Sequence, residues 1–256
     1  MWLAWIGALA IGLSLGLLGS GGSIITVPVL VYLVGQPEKI AIAGSLGVVG
    51  TVALVGALQN AAKGLIDWRS VAWFGLPGMA GTYGGAWLSG YVTGAVQLAV
   101  FAVVMLAAAA MMFRQSVRDA PAAVRRPTAT VVADGLAVGA LTGFVGVGGG
   151  FLILPALVLL GGLGMHVAIG TSLAIIALNA FTGFAKHLHL LTVEGLSLDW
   201  KLLGTIALIG ALGSVAGSQL GNRIPQATLR RAFGVFLVAM ALFIFYESGP
   251  RALGHG

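Results

Sequence analysis

Two glycine clusters are the residues of this chain whose type and spacing could do chemistry. Residues 16–28 read G-L-L-G-S-G-G-S-I-I-T-V-P, and residues 143–155 read G-F-V-G-V-G-G-G-F-L-I-L-P. Glycine lets backbone N–H groups approach a ligand closely, and the N-terminus of a helix favours an anion. Each cluster is followed by a short apolar run, starting near Ser23 and near Gly150. The clusters therefore predict an anion site at two helix starts.

The alternative is that these glycines only allow membrane helices to pack closely. We assign that role to the G-x-x-x-G spacings at Gly81/Gly85, at Gly135/Gly139/Gly143 and at Gly213/Gly217/Gly221. For the clusters we favour binding, because three glycines in four positions destabilise a helix by about 1 kcal/mol each. The predicted substrate-binding residues of the clusters are Gly21, Gly22, Ser23, Gly148, Gly149 and Gly150.

Polar side chains inside later apolar runs complete the predicted site. Ser45 and the pair Thr171-Ser172 lie about 20 residues after the first and the second cluster, each within an apolar run. Their hydroxyls can bond an oxyanion, or they can bond back to the carbonyl one turn earlier. The amides of Asn60 and Asn179 need a partner within the membrane, which is either the ligand or another helix. We include all five residues in the predicted site.

Basic side chains at the ends of apolar runs have two readings. Lys63, Lys186, His187 and His189 either reach the membrane interface or form an electropositive vestibule that attracts anions. The H-x-H spacing needs further ligands to hold a metal, and we predict no metal site. No Asp or Glu lies near the centre of an apolar run, so a carboxylate-based proton relay has no visible carrier.

Enzyme motifs give no support for catalysis. Residues 12–16 match G-x-S-x-G, but they lie in an apolar membrane run with no strand before it. The chain has no H-E-x-x-H sequence and no P-loop lysine motif. We therefore predict no catalytic residue and no cofactor, and we expect the protein not to be an enzyme.

The composition is that of a membrane protein. Charged residues are 8% of the chain, against about 25% in soluble proteins, and apolar residues are 59%. Apolar runs follow one another along the whole chain without the alternation of a β-barrel, which predicts an all-α polytopic membrane protein. The net charge is +6, and the basic residues lie between the apolar runs, as in cytoplasmic loops. The positive charge therefore does not indicate a nucleic-acid partner. The lack of cysteine excludes disulfides.

The organisation of the chain predicts an internal duplication. Five apolar runs lie on each side of a polar, arginine-rich stretch, giving a first membrane repeat at 1–113, a cytoplasmic linker at 114–129 and a second repeat at 130–256. A shift of 127 residues superposes Gly19 on Gly146 and Pro28 on Pro155. A shift of 132 residues superposes the Asp-Trp pair at 67–68 on the pair at 199–200.

The topology of the two repeats depends on the glycine breaks. If each break kinks one spanning helix, each half has four spans and the repeats are parallel. If each break is a hairpin turn, each half has five segments and the repeats are inverted. We favour inversion, because loop 90–95 carries no charge while its counterpart 221–231 carries three arginines. The prediction is 8–10 membrane segments with broken or re-entrant helices at the clusters.

These motifs together resemble the TauE/SafE family of sulfite and organosulfonate exporters. The resemblance is carried by the twin clusters followed by proline, by Gly-Thr-Ser-Leu at 170–173, by the Asp199-Trp200 pair and by G-x-x-G-x-x-x-G at 210–217. It implies a multi-pass transporter of small sulfur-containing anions in a bacterial or archaeal inner membrane. The first half departs from the pattern, with Ala-Gly-Ser at 43–45 where the second has Gly-Thr-Ser, so the two half-sites are expected to differ.

The sequence thus predicts an exporter of sulfite or an organosulfonate, bound between two half-helix N-termini at the interface of the repeats. The alternative is a channel-like or structural membrane subunit without substrate-coupled transport. The expected partners are a small anion and the lipid bilayer, and a homodimer is left open. Neither the anion, the direction of transport nor the coupling ion follows from the sequence.

Overall fold

The computed structural model describes residues 2–114, 127–146, 150–221, 223–225, 228, 231–232 and 234–243. Within these residues the chain is helical and contains no β-strand. We number its helices α1 Trp2–Leu18, α2 Gly21–Leu33, α3 Glu38–Ala62, α4 68–89, α5 Gly94–Arg114, α6 Thr128–Val145, α7 150–160, α8 Met165–Val193, α9 Trp200–Gly221 and α10 Gly234–Phe243.

Four of these helices, α3, α6, α8 and α9, are long and apolar enough to cross a membrane. The 25 residues of α3 rise about 37 Å, which exceeds the ~30 Å thickness of the hydrocarbon core. Shorter apolar helices are α2, α10 and the parts Ala4–Leu18 of α1 and Val96–Ala107 of α5. The all-helical fold with several spanning helices makes this a multi-pass membrane protein.

Both glycine clusters interrupt the helices. The chain is not helical at Gly19 and Ser20, and Gly19 has a φ of +70°. Gly146 ends α6 with a φ of +75°. Glycine adopts this left-handed conformation without a steric penalty, which explains why it stands at both positions. Neither α1 nor α6 therefore continues straight through its cluster.

The first break is the turn of a helical hairpin. A Cβ atom added to Gly22 would overlap the backbone carbonyl of Ile11, and one added to Gly7 would lie 2.8 Å from Val29 Cγ1. These contacts place the start of α2 beside the end of α1 and the end of α2 beside the start of α1. The two helices are therefore antiparallel.

Two pairs of helices pack backbone to backbone through small residues. Between α1 and α9, a Cβ at Gly12 would overlap the carbonyl of Gly210, and one at Gly16 would overlap that of Ser214. Between α4 and α6, a Cβ at Gly85 would overlap the carbonyl of Ala140. The assignment of the G-x-x-x-G spacings to packing is thus confirmed. In both pairs residue numbers rise together, so the paired helices are parallel.

The long helices α3 and α8 lie at the centre and run in opposite directions. A Cβ at Gly47 would lie 3.1 Å from the Phe184 ring, and one at Gly56 would lie 3.1 Å from Leu173 Cδ1. Since the partner numbers fall as the α3 numbers rise, the two helices are antiparallel. Much of the buried apolar core comes from these two helices. Their packing therefore holds their polar residues at fixed positions relative to both glycine breaks.

Candidate functional site

The start of α2 meets the start of α7 inside the protein. Gly150 is the first residue of α7, and a Cβ added to it would lie 2.8 Å from Ser20 Cβ and 2.8 Å from Ser23 Oγ. Ser20 and Ser23 are fully buried. A side chain at position 150 would require these neighbouring side chains to shift, so the two helix starts are closely packed.

No hydrogen bond from the N-cap side chain caps the backbone N–H groups in the first turn of α2. Ser20 occupies the N-cap position, but its hydroxyl makes no capping bond. It lies instead 3.5 Å from the carbonyl of Leu18, while Ser23 Oγ donates to the Ser20 carbonyl at 2.6 Å. The first N–H groups of a helix have no intrahelical acceptor and carry the positive end of the helix dipole. This buried turn is therefore suited to an anion.

Two serines join the breaks of the two halves reciprocally. Ser45 Oγ lies 2.9 Å from the carbonyl of Gly146, and Ser172 Oγ lies 3.0 Å from the carbonyl of Gly19. Each hydroxyl also lies within 2.9 Å of the carbonyl three residues earlier in its own helix, so its one proton is shared between two acceptors. Both serines are fully buried. Each half thus holds the glycine turn of the other half in place.

We expect Ser45→Ala and Ser172→Ala each to destabilise the protein by about 1–2 kcal/mol, because a buried carbonyl loses its donor. The measurement is thermal unfolding of the purified protein in detergent. Thr51→Ala is the matched control, since the exposed Thr51 hydroxyl bonds only within its own helix, to the carbonyl of Gly47. That variant should change stability by less than about 0.5 kcal/mol. Equal effects of all three variants would contradict the bracing role.

Two further predicted site residues bond to the protein itself. The Thr171 hydroxyl accepts a hydrogen bond from the N–H of Asp67 at 2.9 Å, which fixes the residue before α4. The Asn60 side chain donates to the Gly56 carbonyl at 2.8 Å within its own helix. Thr171 precedes Ser172, and Asn60 lies beside Gly170, where a Cβ would be 3.0 Å from Asn60 Cβ. The hydrogen bonds of both residues are to the protein itself.

Asn179 lies apart from the helix starts. It is fully buried in α8 against Gly78 of α4, where a Cβ on Gly78 would be 3.0 Å from its Nδ2 atom. Neither amide atom of Asn179 has a hydrogen-bond partner among the described residues. A buried amide without a hydrogen-bond partner is costly. Asn179 is an isolated polar side chain in the α4–α8 contact and does not lie where α2 meets α7.

The cluster glycines have two roles: they allow close helix packing, and they form the first turn of α2. Gly22 packs on α1, and Gly21 lies in contact with Ser14, where a Cβ would be 3.2 Å from Ser14 Cβ. Gly22 therefore serves the hairpin as well as the first turn of α2, and a side chain there would disturb both. The predicted residues Gly148 and Gly149 lie outside the described residues.

The structure adds Ser20 and Gln97, which the sequence did not single out, and it places His187, for which the sequence left two readings. His187 is buried, at 6% exposure, and its Nε2 lies 3.2 Å from the carbonyl of Gly143. It therefore does not extend to the membrane interface, unlike Lys186, whose ammonium lies 5.3 Å from the centre of the exposed Tyr83 ring. The Gln97 amide donates to the Phe144 carbonyl at 2.6 Å, beside the second break. The 127-residue shift, which places Asn60 on His187, was the available signal.

No group of three or more His, Asp or Glu side chains that could hold a metal ion occurs in the described part of the chain. The helix starts offer backbone N–H groups, so hydrogen bonds are the chemistry that Ser20, Ser23 and Gly150 can provide.

Comparison with known proteins gives a consistent result. The family model described as "Sulfite exporter TauE/SafE" matches residues 4–244. A "Probable membrane transporter protein" of Xylella fastidiosa is 32% identical over 249 residues, covering 93% of this chain and 92% of the relative. Proteins of the same description from Haemophilus influenzae and Bacillus subtilis (YunE) are 27% and 26% identical over 94% and 90% of this chain, and over 96% and 92% of their own lengths. No solved structure matches.

Proposed function

Because this chain belongs to the TauE/SafE family, we propose that it exports a small sulfur-containing oxyanion such as sulfite or an organosulfonate across the inner membrane of a bacterium or archaeon. The observation that carries this proposal is the meeting of the uncapped start of α2 with the start of α7 at Ser20, Ser23 and Gly150. Half-helix N-termini that meet within a membrane fold are suited to an anionic group.

The anion binds between the two helix starts, in contact with N–H groups at Gly21, Gly22 and Gly150. The Ser23 hydroxyl, which donates to the Ser20 carbonyl in this structure, must turn away from that carbonyl to contact the anion. The cluster residues Gly148 and Gly149 precede α7 and belong to the same proposed site. Ser45 and Ser172 hold the turns that orient these groups. Asn60 and Thr171, on the helices that carry these serines, belong to the same proposed site. Asn179 is a separate polar contact, which the anion reaches when α4 and α8 move.

We propose further that the halves are inverted repeats of five segments each. One observation favours this: the equivalent helices α3 and α8 are antiparallel, whereas parallel repeats of four spans would make them parallel. The parallel pairs α1–α9 and α4–α6 agree with inversion but also with four-span parallel repeats. Matching features recur at the 127-residue shift, with left-handed glycines at 19 and 146 and π-helical turns at Val29–Leu33 and Ala156–Leu160. The helix pair α1–α2 and its counterpart α6–α7 then enter the membrane as re-entrant hairpins.

The inverted arrangement predicts which loops face the cytoplasm. It places the 114–129 linker, Lys63, Arg69 and Arg223 on one side, as the positive-inside rule requires. We expect a cysteine introduced by Ala122→Cys to be protected from an impermeant thiol reagent in intact cells. The chain has no cysteine of its own, so the labelling has no background. Rapid labelling in intact cells would contradict the orientation, provided that permeabilised cells label equally fast.

The proposed transport is tested with the purified protein in proteoliposomes. Sulfite flux should saturate with concentration, and a thermal-shift screen of sulfite, sulfate, thiosulfate, sulfoacetate and taurine should raise the melting temperature for the transported anion. Flux that rises linearly without saturation would indicate a channel-like protein. Neither flux nor a thermal shift with any of these anions would indicate a structural membrane subunit and contradict the proposal.

A further inference from the structure

A polar cleft lies where the start of α3 meets the end of α8. An ion pair lies at its mouth: Lys39 Nζ is 2.5 Å from Glu194 Oε1, and the two side chains are 33% and 35% exposed. His187 lies deeper, with 6% exposure. The polar residues that line the cleft are Lys39, Ser89, Gln97, His187 and Glu194.

The cleft leads towards the second glycine break. A Cβ on Gly146 would lie 3.7 Å from His187 Nε2, and the same nitrogen lies 3.2 Å from the carbonyl of Gly143. Gln97, on the other wall, donates to the carbonyl of Phe144. An anion that entered between Lys39 and His187 would therefore be beside the turn that precedes α7.

The hydrogen bond of His187 restricts what its ring can offer to an anion. A carbonyl oxygen only accepts, so the Nε2 atom that bonds the Gly143 carbonyl must carry a hydrogen. On a neutral ring Nδ1 is then a bare lone pair, which repels an oxyanion. On a doubly protonated ring Nδ1–H is a donor with a full positive charge behind it. A tight contact between this ring and an anion therefore requires a proton.

The charges around His187 couple the proton to the anion. Lys39 of α3 and Lys186 of α8 are cationic and oppose a charged ring, while the charge of Glu194 is already engaged by Lys39. The groups in the cleft from α4 and α5 are the neutral Ser89 and Gln97, and α6 contributes the Gly143 carbonyl. A bound anion supplies the missing negative charge, so each ligand favours the binding of the other.

We propose that this cleft is an anion subsite in which His187 takes up one proton from water with each sulfite or sulfonate ion, while Lys39 leaves Glu194 to contact the ion. This inference rests on the proposed anion transport and makes a proton the second ligand of its site. The space in the cleft is about 20 Å³, enough for roughly one water molecule. A sulfur oxyanion is larger, so the Lys39–Glu194 pair must separate for it to enter. That pair is partly exposed, and breaking it costs only about 1 kcal/mol.

The opposite end of the fold lacks this arrangement. At the 127-residue shift His166 stands on Lys39 and Asn60 stands on His187. His187→Asn therefore places in α8 the amide that already occupies the equivalent position of α3. The amide keeps an N–H donor for the Gly143 carbonyl but cannot gain a proton. This makes it a suitable test variant, with Lys186→Gln as the control that removes a neighbouring positive charge outside the cleft lining.

The test is calorimetric titration of the purified full chain with methanesulfonate and with thiosulfate, whose charges do not change between about pH 6 and pH 8, where histidine titrates. We expect the parent to bind each anion about tenfold more weakly at the higher pH, because binding takes up a proton and the proton concentration is lower there. Lys186→Gln should retain this dependence. His187→Asn should bind weakly, with the same affinity at both values.

The outcomes separate the subsite from the transport proposal. Binding by the parent with equal affinity at both pH values would overturn the proton-linked subsite and leave the transporter. A parent-like pH dependence in His187→Asn would overturn the role of His187. Failure of the parent to bind either anion at either pH would contradict the subsite and the proposed anion transport together.

Discussion

Gly85→Leu is expected to destabilise the protein by about 3 kcal/mol or more. A Cβ at this position would overlap the carbonyl oxygen of Ala140 and lie 2.8 Å from the backbone nitrogen of Phe144. Backbone atoms cannot rotate away as a side chain can, so α4 and α6 must separate along their length. Overpacking a close contact costs about 1–3 kcal/mol, and more where the backbone has to move. Thermal unfolding in detergent should show this loss directly.

The adjacent residue provides the control for that prediction. Gly84 lies on the same helix turn and is exposed, and a Cβ there would meet nothing within 4 Å. Gly84→Leu should leave the melting temperature unchanged or raise it slightly, because leucine has about 0.8 kcal/mol better helix propensity than glycine. Equal melting temperatures for Gly84→Leu and Gly85→Leu would contradict the described contact between α4 and α6.

The small-residue faces of these helices were predictable, but their partners were not. A G-x-x-x-G spacing aligns glycines on one side of a helix, and this alone indicates a close contact. It does not say which helix fills the groove. The pairing of α4 with α6 and of α1 with α9 depends on how the two halves fit together, and that fit is decided by contacts between residues far apart in sequence.

The helix breaks followed from composition, while the direction of the chain after them did not. Clustered glycine and a following proline oppose a continuous helix wherever they occur. Whether the chain then kinks or turns back depends on tertiary contacts such as that of Gly22 with Ile11, which makes the first break a hairpin. The helix also begins at Gly21 rather than near Ser23, so that Ser20 becomes the N-cap residue.

The roles of polar residues were the least predictable part of the site. His187 stands at the end of an apolar run, where a side chain facing the headgroups and one facing another helix look alike in sequence. The structure buries it against Gly143. For Ser45 both sequence readings apply at once, since its proton is shared between its own helix and the break of the other half. Sequence reasoning could identify the bond to the preceding turn but not the second acceptor.

The proposed duplication would explain a site that is symmetric in its backbone and unequal in its side chains. Ser45 and Ser172 are equivalent at the 127-residue shift, and so are the carbonyls of Gly146 and Gly19 that they bond. These bonds fix the geometry of the two turns. The side chains around them differ, as with Asn60 and His187.

Gly150→Leu is expected to reduce anion flux in proteoliposomes by about 100-fold or more. Its side chain would occupy the space between the starts of α2 and α7, where Ser20 and Ser23 already lie 2.8 Å from a Cβ atom. Two or more hydrogen bonds to the anion would be lost, each worth about 1.5–3 kcal/mol, and 1.4 kcal/mol is a factor of ten. The groups around this Cβ are side chains, including Ile176 Cδ1 at 2.8 Å, which can move more readily than the backbone beside Gly85.

The control for this prediction is a leucine introduced at a position where its Cβ contacts no other atom. Gly204 of α9 has no atom within 4 Å of a Cβ, so Gly204→Leu should keep both flux and melting temperature. Gly150→Ala is measured in parallel, because its single methyl group narrows the same space with less disturbance of the fold, and it should lose most of the flux at a nearly normal melting temperature. If Gly150→Ala is stable and transports as fast as the parent, the anion does not pass between the two helix starts. The site would then lie elsewhere, and the cleft lined by His187 and Lys39 is the next place to test.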